Sequence, residues 1–273
     1  MSERSPPIDR STVRRRFERA AATYEKAASL ESEVAARMLE RLDYVKIAPR
    51  RILDAASGPP RRALAKRYPG AKVIALDFAL GMLRPRRFSL FRRNLSVCAD
   101  LERLPIGADA VDLVWCNMGL HWLSDPLPAF REFARVLAPE GLLMFSTLGP
   151  DTLKELRAAA GASRVHAFID MHDLGDMLVA AGLAAPVMDM EMIEIEYTKG
   201  GNLLADLRSS GQTSARADRP RGLSARRFAE RLRAGLAPRA SFEVVYGHAW
   251  KATKADRHAN QEPKTVRVFK RMP

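Results

Sequence analysis

Three aspartates each close or follow a short apolar run in the first half of the chain. Asp54 ends Arg51-Ile52-Leu53-Asp54, Asp77 stands 23 residues further on at the end of Val73-Ile74-Ala75-Leu76, and Asp100 follows Cys98-Ala99. A fourth run, 111–117, ends in Cys116-Asn117. A carboxylate behind a second strand can accept hydrogen bonds from both hydroxyls of a ribose, and a tight turn behind the first strand lets backbone approach the rest of an adenosine cofactor. These two features alone fit a dinucleotide as well as S-adenosylmethionine. A dinucleotide site usually sets three glycines against a pyrophosphate. Here the turn Ala55-Ala56-Ser57-Gly58-Pro59-Pro60 has one, with Asp54 on the strand itself. S-adenosylmethionine has no pyrophosphate but carries an ammonium and a sulfonium, which favour nearby carboxylates. The residues expected to hold it are Asp54, Ala56, Gly58, Asp77, Asp100, Leu101, Cys116 and Asn117, with Asp100 and Leu101 on the adenine side. Asp54 can also be read as a turn cap and Cys116 as core packing. Tyr24, His121 and Trp122 are expected to line an acceptor pocket, whereas His166, His172 and His248 have no partner at useful spacing and read as structural.

Residues at strand ends need a sheet to align them. Apolar runs at 51–55, 72–77, 95–98, 111–117 and 142–147 alternate with helical patterns at 61–68 and 127–137. Strand and helix in alternation, with strands rich in Val, Ile and Leu, predict a doubly wound, mostly parallel α/β sheet covered on both faces. Two helices are expected before it: one carries Val13, Phe17, Ala20, Ala21 and Tyr24 on one face, the other Leu30, Val34, Met38, Leu39 and Leu42. Helices at 151–160 and 171–181 follow, then strands at 187–197 and 242–250. The basic stretch 200–240, broken by Gly211, Pro220, Gly222 and Pro238, reads as a helical insertion covering the site. The expected organisation is a helical lead-in and cap at 1–48, the main domain at 49–253, and a polar tail at 254–273.

The 273 residues are 47% hydrophobic and 28% charged, ordinary globular usage that excludes wholesale disorder. Forty-five Lys and Arg against 32 Asp and Glu leave a net charge of +13, so an acidic partner is expected, whether nucleic acid, anionic membrane surface or acidic protein. Cys98 and Cys116 have no Cys or His neighbours at ligand spacing, which predicts neither a metal site nor a disulfide framework. No 18-residue apolar run and no secretory leader can be read, so a cytoplasmic protein without a membrane span is expected.

The segments 51–58, 73–77, 98–100, 111–117 and Pro139-Glu140-Gly141 together resemble a class I methyltransferase. The flanks narrow the likeness: 145–157, 168–175 and Tyr246-Gly247-His248-Ala249-Trp250 are similar to the malonyl-acyl-carrier-protein O-methyltransferases of biotin synthesis, as is Arg16-Phe17 with Ala20, Ala21 and Tyr24. The resemblance implies a seven-stranded Rossmann-like sheet and methyl transfer from S-adenosylmethionine to the free carboxylate of a malonyl thioester on an acyl carrier protein, an acidic partner suited to a basic rim. An ionised carboxylate is already nucleophilic, so no catalytic acid or base is required and alignment is the main task. Some arginine is expected to hold the malonyl head, but spacing selects none. The family has glycine where this chain has Ala56 and Pro60, so a cofactor-binding paralogue without transfer activity is one alternative. Another is the related complex I assembly factor, an arginine hydroxylase that shares the Asp151-Thr152-Leu153 to Arg157 pattern. A nucleic-acid methyltransferase fits poorly, because Asn117-Met118-Gly119 lacks the prolines and aromatic used in amino-group methylation and the basic stretches lack interleaved aromatics.

Overall fold

The computed structural model describes residues 7–59, 63–84, 95–219, 228, 230, 232–233 and 235–252. Pro60, most of the basic stretch near 84–93, residues 220–227 of the insertion and the tail at 254–273 lie outside them.

The first five strands run parallel. They are β1 (Arg51–Ala55), β2 (Lys72–Asp77), β3 (Leu95–Cys98), β4 (Val111–Cys116) and β5 (Leu137–Leu148). Two more, β6 (Leu183–Glu196) and β7 (Arg239–Lys251), complete a seven-stranded sheet in the order β3-β2-β1-β4-β5-β7-β6. β7 is antiparallel to both its neighbours, so the sheet is mostly parallel as expected. The order reverses between β1 and β4, both of which start from the centre, and this leaves a gap at their carboxyl ends where no crossover helix can close over both.

Central strands are buried on both faces, hence their unbroken apolar runs. One face packs α3 (Ser29–Arg41) through Leu30, Val34 and Met38. The other packs α6 (Leu127–Val136) and α8 (Met171–Ala180), with Phe130, Phe133, Leu174 and Leu178 turned inward. Two short helices, α4 (Ala63–Arg67) and α5 (Leu80–Leu83), follow β1 and β2, and α7 (Lys154–Ala160) follows β5. A third, smaller cluster joins Val13 and Phe17 of α1 (Arg10–Ala20) to Tyr24, Met82, Trp122 and Ala215. It sits over the carboxyl ends of the strands rather than against a sheet face.

The N-terminal segment differs from expectation. The run predicted as one helix through Tyr24 breaks at 21–23, and Tyr24 begins a separate single turn, α2 (Tyr24–Ala27). Thr23 is the cause: its hydroxyl donates to the Ala20 carbonyl at 3.1 Å and to the Ser209 carbonyl at 2.7 Å, diverting the chain toward α9 (Gly201–Ser209). β5 and β6 also start earlier than predicted. Glu140 and Ala185 adopt left-handed backbone beside Pro139 and Pro186, and these irregular starts hide the strand period.

Candidate active site

A crevice of about 620 Å³ opens where the strand order reverses. Ala56 and Gly58 form its floor after β1, Asp77 and Phe78 one wall, Asp100 and Leu101 the far end, and Val13, Phe17 and Tyr24 its roof. A second hollow of about 430 Å³ lies on the other side of Tyr24 and Ala56, bounded by Asp54, Ser57, Trp115 and Asn117. The two share Tyr24 and Ala56, so an elongated ligand threaded between them would meet a carboxylate on either side.

The turn after β1 requires left-handed backbone twice, at Ala56 (φ +56°) and Gly58 (φ +61°). The alanine therefore keeps the conformation that glycine adopts freely, at a cost of roughly 1–2 kcal/mol. Its methyl group has room because residue 119 is glycine: a Cβ built on Gly119 would stand 2.5 Å from that methyl. Over Gly58 the Tyr24 ring lies so close that a built Cβ would touch it at 3.5 Å.

Asp77 organises this turn. One carboxylate oxygen accepts from the Gly58 N–H at 3.0 Å and the other from the Ala79 N–H at 2.9 Å. The Phe78 N–H also bonds the carboxylate, so its two oxygens carry three backbone donors and still offer acceptor capacity to a ligand hydroxyl. Burial pushes the Asp77 carboxyl up to about 6, against the pull of these backbone donors and with a smaller push from Glu18.

Asp54 is buried and borders the second hollow. Asn117 borders it too, but its side chain is already engaged: Nδ2 donates to the Glu31 carbonyl at 2.9 Å and Oδ1 accepts from the Ser146 hydroxyl at 2.9 Å. The residue thus pins α3 to the ends of β4 and β5. Asp100 caps its loop by accepting from the Glu102 N–H at 3.0 Å and forms an ion pair with Arg10, which also pairs with Glu102. Leu101 lines the crevice beside it. Cys116 lies wholly within the core, its thiol pushed up to about 12 by burial and then by Asp54, which is the packing role rather than a crevice wall.

Trp122 lines the crevice, edge-on to Phe17 at 5.2 Å. His121 does not line it. Its ring is buried between Trp122 and Phe168 at 5.2 and 6.1 Å, and burial, with a smaller push from His166, lowers it to about 3. It is therefore a neutral imidazole at any ordinary pH. His166, read as structural from sequence, is held at both ring nitrogens: Nε2 accepts from the Ala215 N–H at 2.8 Å and the ring also bonds the His121 backbone. Arg10 at the rim has no signal of its own in the sequence, because it stands among several other early arginines and polar residues. Tyr24 lines the crevice as expected, whereas Val13 and Phe17 are marked in the sequence only by their helical face.

The donor set matches S-adenosylmethionine. Carboxylates face both hollows, acceptors for ribose hydroxyls stand at Asp77, and Phe78, Leu101 and Leu123 supply apolar walls for a base. Among the described residues no group of His, Cys, Asp or Glu could hold a metal ion, and no helix is long and apolar enough to cross a membrane.

Comparisons agree with this geometry. Residues 53–145 match the family model described as "Methyltransferase domain". A malonyl-[acyl-carrier protein] O-methyltransferase of Methylovorus sp. (strain MP688) is 50% identical over 266 residues, covering 89% of this chain and 90% of that protein. One of Gallionella capsiferriformans (strain ES-2) is 48% identical, covering 89% and 91%. Among solved structures, the Burkholderia thailandensis 1,6-didemethyltoxoflavin-N1-methyltransferase with bound S-adenosylhomocysteine aligns with a TM-score of 0.51 at 17% identity, covering 89% of this chain and 88% of that one. The [4+2]-cyclase SpnF aligns at 0.50 and 20% identity, covering 81% and 80%. A cyclase on the same sheet shows that the architecture does not by itself fix the reaction.

Proposed function

The chain belongs to the malonyl-[acyl-carrier protein] O-methyltransferase family, and from that membership we propose how its residues serve the transfer of a methyl group to the free carboxylate of malonyl-acyl carrier protein. The product is the methyl ester primer of biotin synthesis. The observation that carries the acceptor assignment is the extent of the likeness: half of the residues are identical over about nine-tenths of both chains, so it includes the cap and the last three strands as well as the cofactor half.

When bound, S-adenosylmethionine supplies an electrophilic methyl group on a cationic sulfur. Asp77 would hold the ribose diol, Leu101 and Phe78 would enclose the adenine, and Asp100 would stand at its edge. Ala56 and Gly58 would let the donor approach the backbone closely, Asp54 would hold its ammonium, and Asn117, fixed by the Glu31 carbonyl and the Ser146 hydroxyl, would keep the wall there in place. Cys116 supports the floor from behind. Tyr24 and Trp122 exclude water above the reacting atoms. No residue need take a proton, because the acceptor oxygen is ionised before it arrives; the protein's contribution is to fix attack in line with the departing sulfur. The surplus of 13 positive charges steers an acidic carrier protein to the mouth, so the rate should fall with added salt.

The test is incubation with malonyl-acyl carrier protein and methyl-labelled donor, followed by mass spectrometry of the carrier. A gain of one methyl ester, absent with the acetyl thioester, is the expected result. Donor binding by calorimetry without ester formation would overturn the reading.

A further inference from the structure

Among the described residues, four buried side-chain polar atoms have no hydrogen-bond partner: both ring nitrogens of His121, Nε of Arg157 and Oγ of Ser214. Orphaned buried polar atoms are rare in folded proteins, and each of these lacks a partner that a bound polar group would supply. These three residues lie far apart in sequence but meet around His166. Nη2 of Arg157 donates to the His166 carbonyl at 3.4 Å, the N–H of Ala215, next to Ser214, donates to His166 Nε2, and His166 bonds the backbone of His121. Trp122 joins the group to the crevice: it lines the crevice and stands edge-on to the His166 ring at 5.1 Å.

The charge of this group is one-sided. Arg157 donates only to the carbonyls of Thr152 and His166 and has no acidic partner among the described residues, whereas Arg16 donates to the carbonyls of Thr213 and Ser214 and is also attracted by Asp9. Both imidazoles are neutral and add no negative charge. Arginine Nε, the Ser214 hydroxyl and the one protonated nitrogen of the neutral His121 ring donate, while the other His121 nitrogen accepts, so an occupant that meets the three donors offers acceptors and, opposite Arg157, negative charge.

We propose that Arg157, Ser214 and His121 form the seat for the acidic head of the acceptor, its carboxylate and thioester carbonyl supplying the missing acceptors beside Trp122. This inference rests on the malonyl-thioester reading above and selects one arginine for it.

The decisive measurement uses the full chain with two carrier-protein thioesters, malonyl as substrate and acetyl, which lacks the carboxylate, as competitive inhibitor. In Arg157→Gln the KM for the malonyl thioester should rise by about tenfold or more, and in Ser214→Ala by about threefold, as expected for the loss of a charged and a neutral hydrogen bond. The inhibition constant of the acetyl thioester, kcat and the dissociation constant for S-adenosylmethionine should stay within about twofold of the parent. Ser214→Ala removes one hydroxyl and decides the matter alone if Arg157→Gln does not fold. Unchanged malonyl KM in the folded variants, or equal weakening of both thioesters as loss of a structural water site would give, overturns the seat while leaving the methyl-transfer reading intact. A parent protein that forms no ester overturns both.

Discussion

Asp77 should make donor binding pH-dependent in a way that can be worked out beforehand. Its carboxyl is pushed up to about 6 chiefly by burial, well above its ordinary value of 3.8. A ribose diol donates hydrogen bonds and is held best by the ionised form, so binding favours deprotonation. About one-half of the protein is competent at pH 6 and about one-eleventh at pH 5, which weakens donor affinity roughly tenfold between pH 7.5 and pH 5. At the acid end, binding should release close to one proton, measurable by calorimetry in two buffers of different ionisation enthalpy. The sign for folding is opposite: because the folded value is raised, the stability Asp77 contributes is present below about 3.8 and is lost as pH rises through about 6. Asp77→Asn removes the titration and sets an amide N–H₂ against one of the two backbone donors from Gly58 and Ala79. At pH 7.5 it should bind the donor about 10- to 100-fold more weakly, with affinity nearly flat down to pH 5. An affinity in the parent that does not change between pH 7.5 and 5, or the same slope in Asp77→Asn, would refute the assignment of the ribose to this carboxylate.

Ala56→Gly relieves the left-handed alanine and should gain about 0.5–1 kcal/mol, raising the thermal midpoint by about 1–4 °C in scanning calorimetry. A lower midpoint would mean that the methyl group's packing outweighs its strain. Gly119→Ala drives a methyl into Ala56 Cβ and to 3.0 Å from Cys116 Sγ, and should lose about 1–3 kcal/mol in urea unfolding while narrowing the crevice floor. Acid should destabilise the fold as a whole. Burial lowers His121 and His166 to about 3 and about 4, so the stability of their neutral forms is complete above their unfolded value near 6.5 and is lost progressively below it. Set against the opposite contribution of Asp77, the protein should be about 2 kcal/mol less stable at pH 5 than at pH 7, read from the urea midpoint. Equal midpoints would show that one of the imidazoles is charged in the folded state.

The strand ends were legible because burial on both faces forces apolar runs that stop where the chain reaches water, and Asp54, Asp77, Asp100 and Asn117 mark those stops. The mostly parallel order followed from alternation with helices. The geometry of the turn after β1 was not legible: Ala56 keeps a glycine-like backbone because Gly119, on another loop, leaves space for its methyl group. Tyr24 was placed on a continuous helical face because periodicity cannot register a hydroxyl drawn toward Ser209. Asn117 gave no sign that it would be occupied by Glu31 and Ser146. The gathering of His121, Arg157 and Ser214 around His166 depends on loops that meet only in the folded chain, so no local spacing could have announced it.

The last strand in sequence is not the last in the sheet. β7 lies between β5 and β6, and it is the only described strand that pairs with β6. On the ribosome, β6 is therefore finished while its sole neighbour is still unmade, and synthesis from Glu196 to Lys251 takes on the order of 3–11 s. Through that interval the nascent chain holds a ribbon bearing Val187, Met190 and Met192 with no mate, which favours handover to a holding chaperone and makes codon-dependent slowing between these strands a hazard to yield.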